Sequence, residues 1–206
     1  MSTLQATNLK HGSSASNNIV LDASGNTTIS GAATFSGAVT TGVGALYPLV
    51  SGTAQASTSG TSIDFTGIPS WVKRVTVMFN GVSTNGTSNV RVRIGPSGGV
   101  ETSGYLGASI TCLSTSVNTQ AFTAGFDFYD GGAAAAVRNG VMILALLDSS
   151  TNTWTASANL GQSDAARFIG LGGSKPLAGA LSIVRITTVN GTDTFDAGSI
   201  NILYEG

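Results

Sequence analysis

The chain has 206 residues and a net charge of −1, and Asp, Glu, Lys and Arg together make up only 9% of it, where about 25% is usual. So few charges exclude a charge-solvated disordered chain, and the even balance removes any global electrostatic case for a nucleic-acid binder. Glycine reaches 28 residues beside nearly as many serines and as many threonines, with only 4 prolines and no G-X-Y period, which excludes collagen and leaves a chain rich in turn and strand-surface types.

Residues 1 to 50 carry only Lys10 and Asp22 as fixed charges, so composition marks a boundary near residue 50 and divides the chain into 1–50 and 51–206. The opening, Met1 to Lys10, is polar and predicts no secretory signal. Asn18-Ile-Val-Leu21, a turn-rich Asp22-Ala-Ser-Gly-Asn26 and Thr27-Thr-Ile29 read as two short strands about a turn. Two near-copies of one hexad follow, Ile29-Ser-Gly-Ala-Ala-Thr34 and Phe35-Ser-Gly-Ala-Val-Thr40. Two hexads are too few for a solenoid, which needs about three repeats to bury a continuous core. A lone hairpin is marginal in water, so the segment is expected to fold only by association. Small hexad residues let several copies approach closely and bury Ile19, Leu21, Ile29, Phe35 and Val39 against their equivalents. The alternative is a flexible tether.

From residue 51 the pattern is that of strands. Val75, Val77 and Phe79 alternate with Arg74, Thr76 and Met78, and beyond a turn at Asn85-Gly86, Val90, Val92 and Ile94 alternate with Arg91 and Arg93. Further strands are expected at Ser109–Leu113, Gln120–Tyr129, Gly140–Leu147, Thr151–Leu160, Arg167–Leu171, Ala180–Val189 and Ser199–Tyr204. Breaks fall at Gly95–Gly99, Asp130–Gly132, Asp148–Asn152, Gly172–Pro176 and Asn190–Gly191. Helix periodicity is missing, and Ala133–Ala136 reads as a loop between glycines. The fold class is therefore all-β: an antiparallel, jelly-roll-like β-sandwich over 51–206, preceded by an extended, β-structured N-terminal segment. The longest strongly apolar run, Val141–Leu147, is far short of the roughly 20 residues of a membrane-spanning helix, so no membrane insertion is expected. Cys112 is alone and forms no internal disulfide; it reads as a small buried hydrophobe.

Chemistry-bearing residues are sparse. His11 is the only histidine and lies in a Gly/Ser/Asn-rich stretch, which leaves no Ser-His-Asp or Cys-His set. No CxxC, His pair or EF-hand loop is present, so no catalytic residue, metal site or cofactor is expected and the chain reads as a non-enzyme. Asp127 with Asp130 and Asp193 with Asp196 are paired carboxylates of the kind glycosidases use, but they stand beside Gly and Asn where turns want Asx side chains. Arg91 and Arg93 make a basic spot, read as a solvated sheet face. Tyr105, Tyr129 and Trp154 lie in or beside loop-rich stretches and are the expected receptor contacts, whereas Trp71, Phe79 and Phe195 read as packing residues.

Two stretches carry a resemblance. Asn8-Leu-Lys-His-Gly-Ser-Ser-Ala-Ser-Asn-Asn-Ile-Val-Leu-Asp-Ala-Ser-Gly-Asn26 resembles the opening segment of bacteriophage tail-fibre and related virion proteins. Ser51 to Ser88, with Thr58-Ser-Gly-Thr-Ser-Ile-Asp-Phe-Thr-Gly-Ile-Pro-Ser-Trp-Val-Lys-Arg74, is similar to a module at the ends of phage fibres, and Arg185 to Tyr204 is similar to its closing part. The resemblance implies a virion appendage, typically a homotrimer, with no catalytic residue. It also implies synthesis in the host cytoplasm and a place on the tail or capsid surface, bound to another virion protein through the N-terminal segment. A short trimeric tail fibre attaching to a host-surface glycan or protein is the expected function; the alternative is a capsid head fibre or decoration protein without a receptor. No long shaft separates the two parts, unlike in large fibres, and a glycan-degrading spike would need a long solenoid with clustered carboxylates.

The sparse charge and the uncovered hexads predict a trimer in solution. Light scattering at micromolar concentration should give three times the chain mass, and Phe35→Ser should weaken assembly by roughly 1.5–3 kcal/mol for each ring removed from the interface; a monomer mass would reject the expectation.

Overall fold

The computed structural model describes residues 8–9, 12–13, 19–21, 23–24, 26–29, 33, 39–41, 44–134 and 136–206. Among these there are strands and no helix, and every strand pairing is antiparallel. Two compact units result, Met1–Leu46 and Tyr47–Gly206.

In the first unit, β1 (Asn8–Leu9), β2 (Ile19–Leu21) and β3 (Thr27–Ile29) form a three-stranded sheet in that order, and β4 (Val39–Thr41) pairs with β5 (Gly44–Leu46). Ile19 stands opposite Ile29 across the β2–β3 pair, on either side of the turn-rich stretch that composition placed there. Strands of two or three residues cannot cover their own side chains: Ile29 is 41% exposed and Ile19 is half-buried. Of the residues expected at a trimer interface, Ile19, Leu21, Ile29 and Val39 fall in these strands; Phe35 lies outside the described residues.

The second unit contains β6 (Val50–Ser51), β7 (Gln55–Ala56), β8 (Ser62–Thr66), β9 (Arg74–Thr84), β10 (Val90–Gly95), β11 (Leu106–Cys112), β12 (Val117–Phe122), β13 (Phe126–Asp127), β14 (Arg138–Asp148), β15 (Thr153–Gln162), β16 (Arg167–Pro176), β17 (Ile183–Thr188) and β18 (Phe195–Glu205). They build two sheets. The large one runs β12-β11-β16-β15-β14-β9-β18-β6, with β7 also on β18, and the small one runs β13-β10-β17-β8. The chain alternates between them, β8 small, β9 large, β10 small, β11 and β12 large, in the manner of a jelly roll. Alternation along each strand puts Val75, Val77 and Phe79 of β9 and Met142 and Leu144 of β14 into one buried cluster with Val90, Val92 and Ile94 of β10 and Val184 and Ile186 of β17. Each such side chain contributes about 1.5–3 kcal/mol by leaving water.

At Asn85-Gly86 the chain leaves β9, whose two edges are taken by β14 and β18, and passes to the small sheet, where β10 pairs with β13 and β17. Two details differ from the expectation. The run Gln120–Tyr129 is two strands, since Phe122 ends β12 in the large sheet and Phe126 opens β13 in the small one. Gly172–Pro176 is strand, not break. A Cβ on Gly173 would stand 2.7 Å from the Leu106 carbonyl and 2.9 Å from the Phe122 ring, so glycine is needed there for the close approach of β11 and β12 rather than for a turn.

Gly173→Ala should therefore cost about 1–3 kcal/mol by overpacking, while Gly98→Ala, with nothing near its Cβ, should stay within about 0.5 kcal/mol of the parent. Urea unfolding measures both, and equal effects would refute the packing account.

Candidate functional site

The carboxylates are committed to the fold. Asp127 lies on β13, opposite Arg91 of β10. Its Oδ1 and Oδ2 accept from Arg91 Nε and Nη2 at 2.5 and 2.8 Å, and both side chains are buried. Asp130 Oδ2 accepts from Arg138 Nε at 2.6 Å and from its Nη2, again with both groups buried. Asp130 Oδ1 accepts the Gly132 N–H at 2.9 Å, which is the Asx turn its sequence context suggests. Arg167 Nη1 donates to the Asp130 carbonyl at 2.6 Å and Arg138 Nη1 to the Ala136 carbonyl at 3.1 Å. The two carboxylates thus answer to different arginines. Removing one partner of such a pair strands a buried charge.

Asp193 accepts from Ser88 N–H at 2.9 Å, which ties the 85–89 loop to the 189–194 loop, and from Asn190 Nδ2 within its own loop at 2.6 Å, while Asp196 of β18 accepts from the Ser83 hydroxyl of β9. Among the described residues no three His, Cys, Asp or Glu side chains gather to hold a metal ion, and His11 lies outside those residues.

Arg91 is not the solvated side chain its position suggested. Burial, about 7% exposure, follows from the Asp127 pair and from Gly125, whose absent Cβ leaves room 2.6 Å from Arg91 Cγ and Cδ. Arg93 is half-buried beside it and donates to the Ala124 carbonyl at 2.9 Å. Its pKa is lowered, first by burial and then by the Arg91 charge. On the next strands Arg185 forms a two-point pair with Asp64, at 2.7 and 2.6 Å, which raises the Arg185 pKa. The outward face of the small sheet is thereby charged from edge to edge.

Two of the three expected receptor aromatics are buried. Tyr105 is fully covered: the loop after β10 folds back, and the hydroxyl accepts the Ile94 N–H at 2.9 Å while turning its own hydrogen towards the carbonyls of Glu101 and Ile94, 3.0 and 3.1 Å away. Phe126 meets the ring edge-on at 4.9 Å. Lys175 Nζ lies 5.5 Å from the ring centroid and pairs with Glu101. Burial would raise Glu101, but the Ala178 N–H and Lys175 outweigh it and lower its pKa. Trp154 is the first inward position of β15 and joins the core. Trp154 follows turn residues, yet side-chain alternation begins at once; Tyr105 does lie in a loop, as its neighbours suggest, but the loop turns it inward. Tyr129 is half-buried, with its backbone N–H and carbonyl held by Ser109 and Thr111 hydroxyls. Phe79 and Phe195 are core, and Trp71 packs partly buried against it.

The accessible aromatics lie elsewhere. Tyr47 stacks on Trp71, centroids 5.4 Å apart, and Trp71 meets Tyr204 at 6.0 Å. Beside Tyr204 a cleft of about 400 Å³ opens between the edge of the large sheet and β8, floored by Phe65, Ile68 and Ile202 and rimmed by Ser51, Gln55 and Asp64. Gln55 Nε2 donates to the Asp64 carbonyl at 2.8 Å and Asp64 is held by Arg185, so the rim is largely satisfied internally. No sequence signal marked this group, whose members come from three distant parts of the chain.

No protein-family model, curated protein or solved structure matches this chain.

Burial pushes the Tyr105 hydroxyl up to about 12. The unfolded chain releases this proton nearer pH 10, so the stabilisation from keeping Tyr105 neutral is complete below pH 10 and lost as pH rises to about 12. Ultraviolet titration of the native protein should show one of the 4 tyrosines ionising late, and Tyr105→Phe should remove that step. A uniform titration near pH 10 would contradict the buried geometry.

Proposed function

We propose that this chain is a non-enzymatic structural protein of a bacteriophage virion, a short trimeric fibre. In this reading residues 1 to about 50 attach it to another virion protein and join the copies, and residues 51–206 meet a glycan or protein on the host surface. The observation that carries the reading is the contrast between the two units. The first has strands of two or three residues and leaves Ile29 uncovered, so it needs partners; the second has a full core of its own. Two further features support it: the resemblance of 8–26, 51–88 and 185–204 to fibre proteins, and the use of Asp127 and Asp130 as arginine partners inside the fold.

The burial of Tyr105 and Trp154 favours a second reading. With two of the three expected contact residues inside the sandwich, a capsid head fibre or decoration protein without a receptor also fits.

Purified full-length protein, added before particles, should lower their adsorption to susceptible cells and should release no reducing ends from host envelope polysaccharide. If cells bind none of the protein while particles lacking it adsorb normally, the decoration reading replaces attachment. Sugar release abolished by Asp127→Asn or Asp130→Asn would overturn both.

A further inference from the structure

The sandwich has one charged side and one uncharged side. On the small sheet Arg91, Arg93, Arg185, Asp64 and Asp127 all point away from the core. On the large sheet the stretches 76–80, 106–112, 117–121, 141–145, 155–161, 168–174 and 199–203 contain not one Asp, Glu, Lys or Arg. Register lets the outward side be followed across the strands: one row runs Thr119, Ile110, Gly170, Asn159, Val141, Met78. Beyond it, at one corner, Arg74 and Glu205 neutralise each other at 3.2 Å.

This face is also apolar and shaped. Leu106 is 65% exposed, Val117 60%, Phe168 47% and Val141 38%, and all four stand on it. Between them Ala108, Ser157, Gly170 and Gly172 line a shallow groove of about 410 Å³. Seven strands spaced about 4.8 Å apart, with outward rows about 7 Å apart, give a projected area of roughly 700 Å². That is close to the ~800 Å² each partner contributes to a standard stable interface.

We propose that the outward face of the large sheet is where a second copy of this chain packs. A charged partner surface would lose its water against a face that offers no counter-charge. The same face on another copy brings no charge, an equal area, and ridges such as Phe168 and Leu106 to enter the groove. The proposal goes beyond the fibre reading: a face that meets its own equivalent pairs copies about a two-fold axis, whereas the fibre reading joins three, and the contact stands on the second unit alone without the hexads.

Cys112 supplies the probe. It is the only cysteine, half-buried, on the outward side opposite Val117 and Phe168. Labelling of full-length native protein with a maleimide should be slow, and Asn159→Arg, two strands away, should speed it at least tenfold by parting the faces. Thr119→Arg on the edge strand β12 serves the same purpose should Asn159→Arg not fold. Light scattering on the same samples separates this proposal from the hexad-based assembly. A multimer whose Cys112 labels at one rate in parent and variants overturns the sheet-face contact and leaves association by residues 1 to 50 standing. A parent that is monomeric overturns both, whatever its labelling rate.

Discussion

The sandwich rests on one constraint: two sheets must hold their apolar faces together with no disulfide and, among the described residues, no helix to cover them. Val90, Val92 and Ile94 of β10 are completely buried only because β9, β14 and β15 present Val77, Met142 and Leu160 from the other side. Alternation does this work strand by strand. It also explains why the chain can be so poor in charge, since much of its surface is hydroxyl, amide and glycine rather than ionised groups.

The segment from Phe122 to Arg138 shows how the few charges are used. It crosses from the large sheet to the small one and back, burying Phe122, Phe126 and Phe128, and such a crossing leaves backbone groups that must find partners. Phe128 N–H donates to the Val90 carbonyl at 2.9 Å, hydroxyls of Ser109 and Thr111 serve Tyr129, and Arg138 and Arg167 reach carbonyls of Ala136 and Asp130. Asp127 and Asp130 are then the counter-charges that allow Arg91 and Arg138 to be buried. Ion pairs placed this way fix the crossing more than they add net stability. The same residues that look like an acid–base pair in sequence are thus occupied in the fold, Asp127 inside the small sheet and Asp130 between the connecting loop and β14.

Much of the fold was legible because period-two alternation is a local signal. The strands Arg74–Thr84, Val90–Gly95 and Arg138–Asp148 stand where Val75, Val90 and Val141 begin their runs, and the Ile-Val-Leu and Thr-Thr-Ile strands of the first unit are equally plain. Glycine misled the reading at 172–173, since the residue serves close backbone approach as well as turns. The site was far less legible. Trp154 sits next to turn residues, yet inward or outward orientation at a strand end depends on where pleating starts, and one residue decides it; Tyr105 lies in a loop whose inward fold no neighbouring residue announces.

The sequence by itself determined the class of structure: strands by alternation, turns by Gly, Asn and Asp, two parts by charge, and a scarcity of groups able to do chemistry. Only the tertiary structure decided which strands share a sheet, which arginine meets which aspartate, and that the charged residues collect on one outer face while the other is left bare. The physical reason is range. Pleat and turn preferences act between neighbours in the chain, whereas sheet order, ion pairing and the accessible aromatic group of Tyr47, Trp71 and Tyr204 join residues far apart in sequence, and no local pattern encodes which distant strand will arrive beside them.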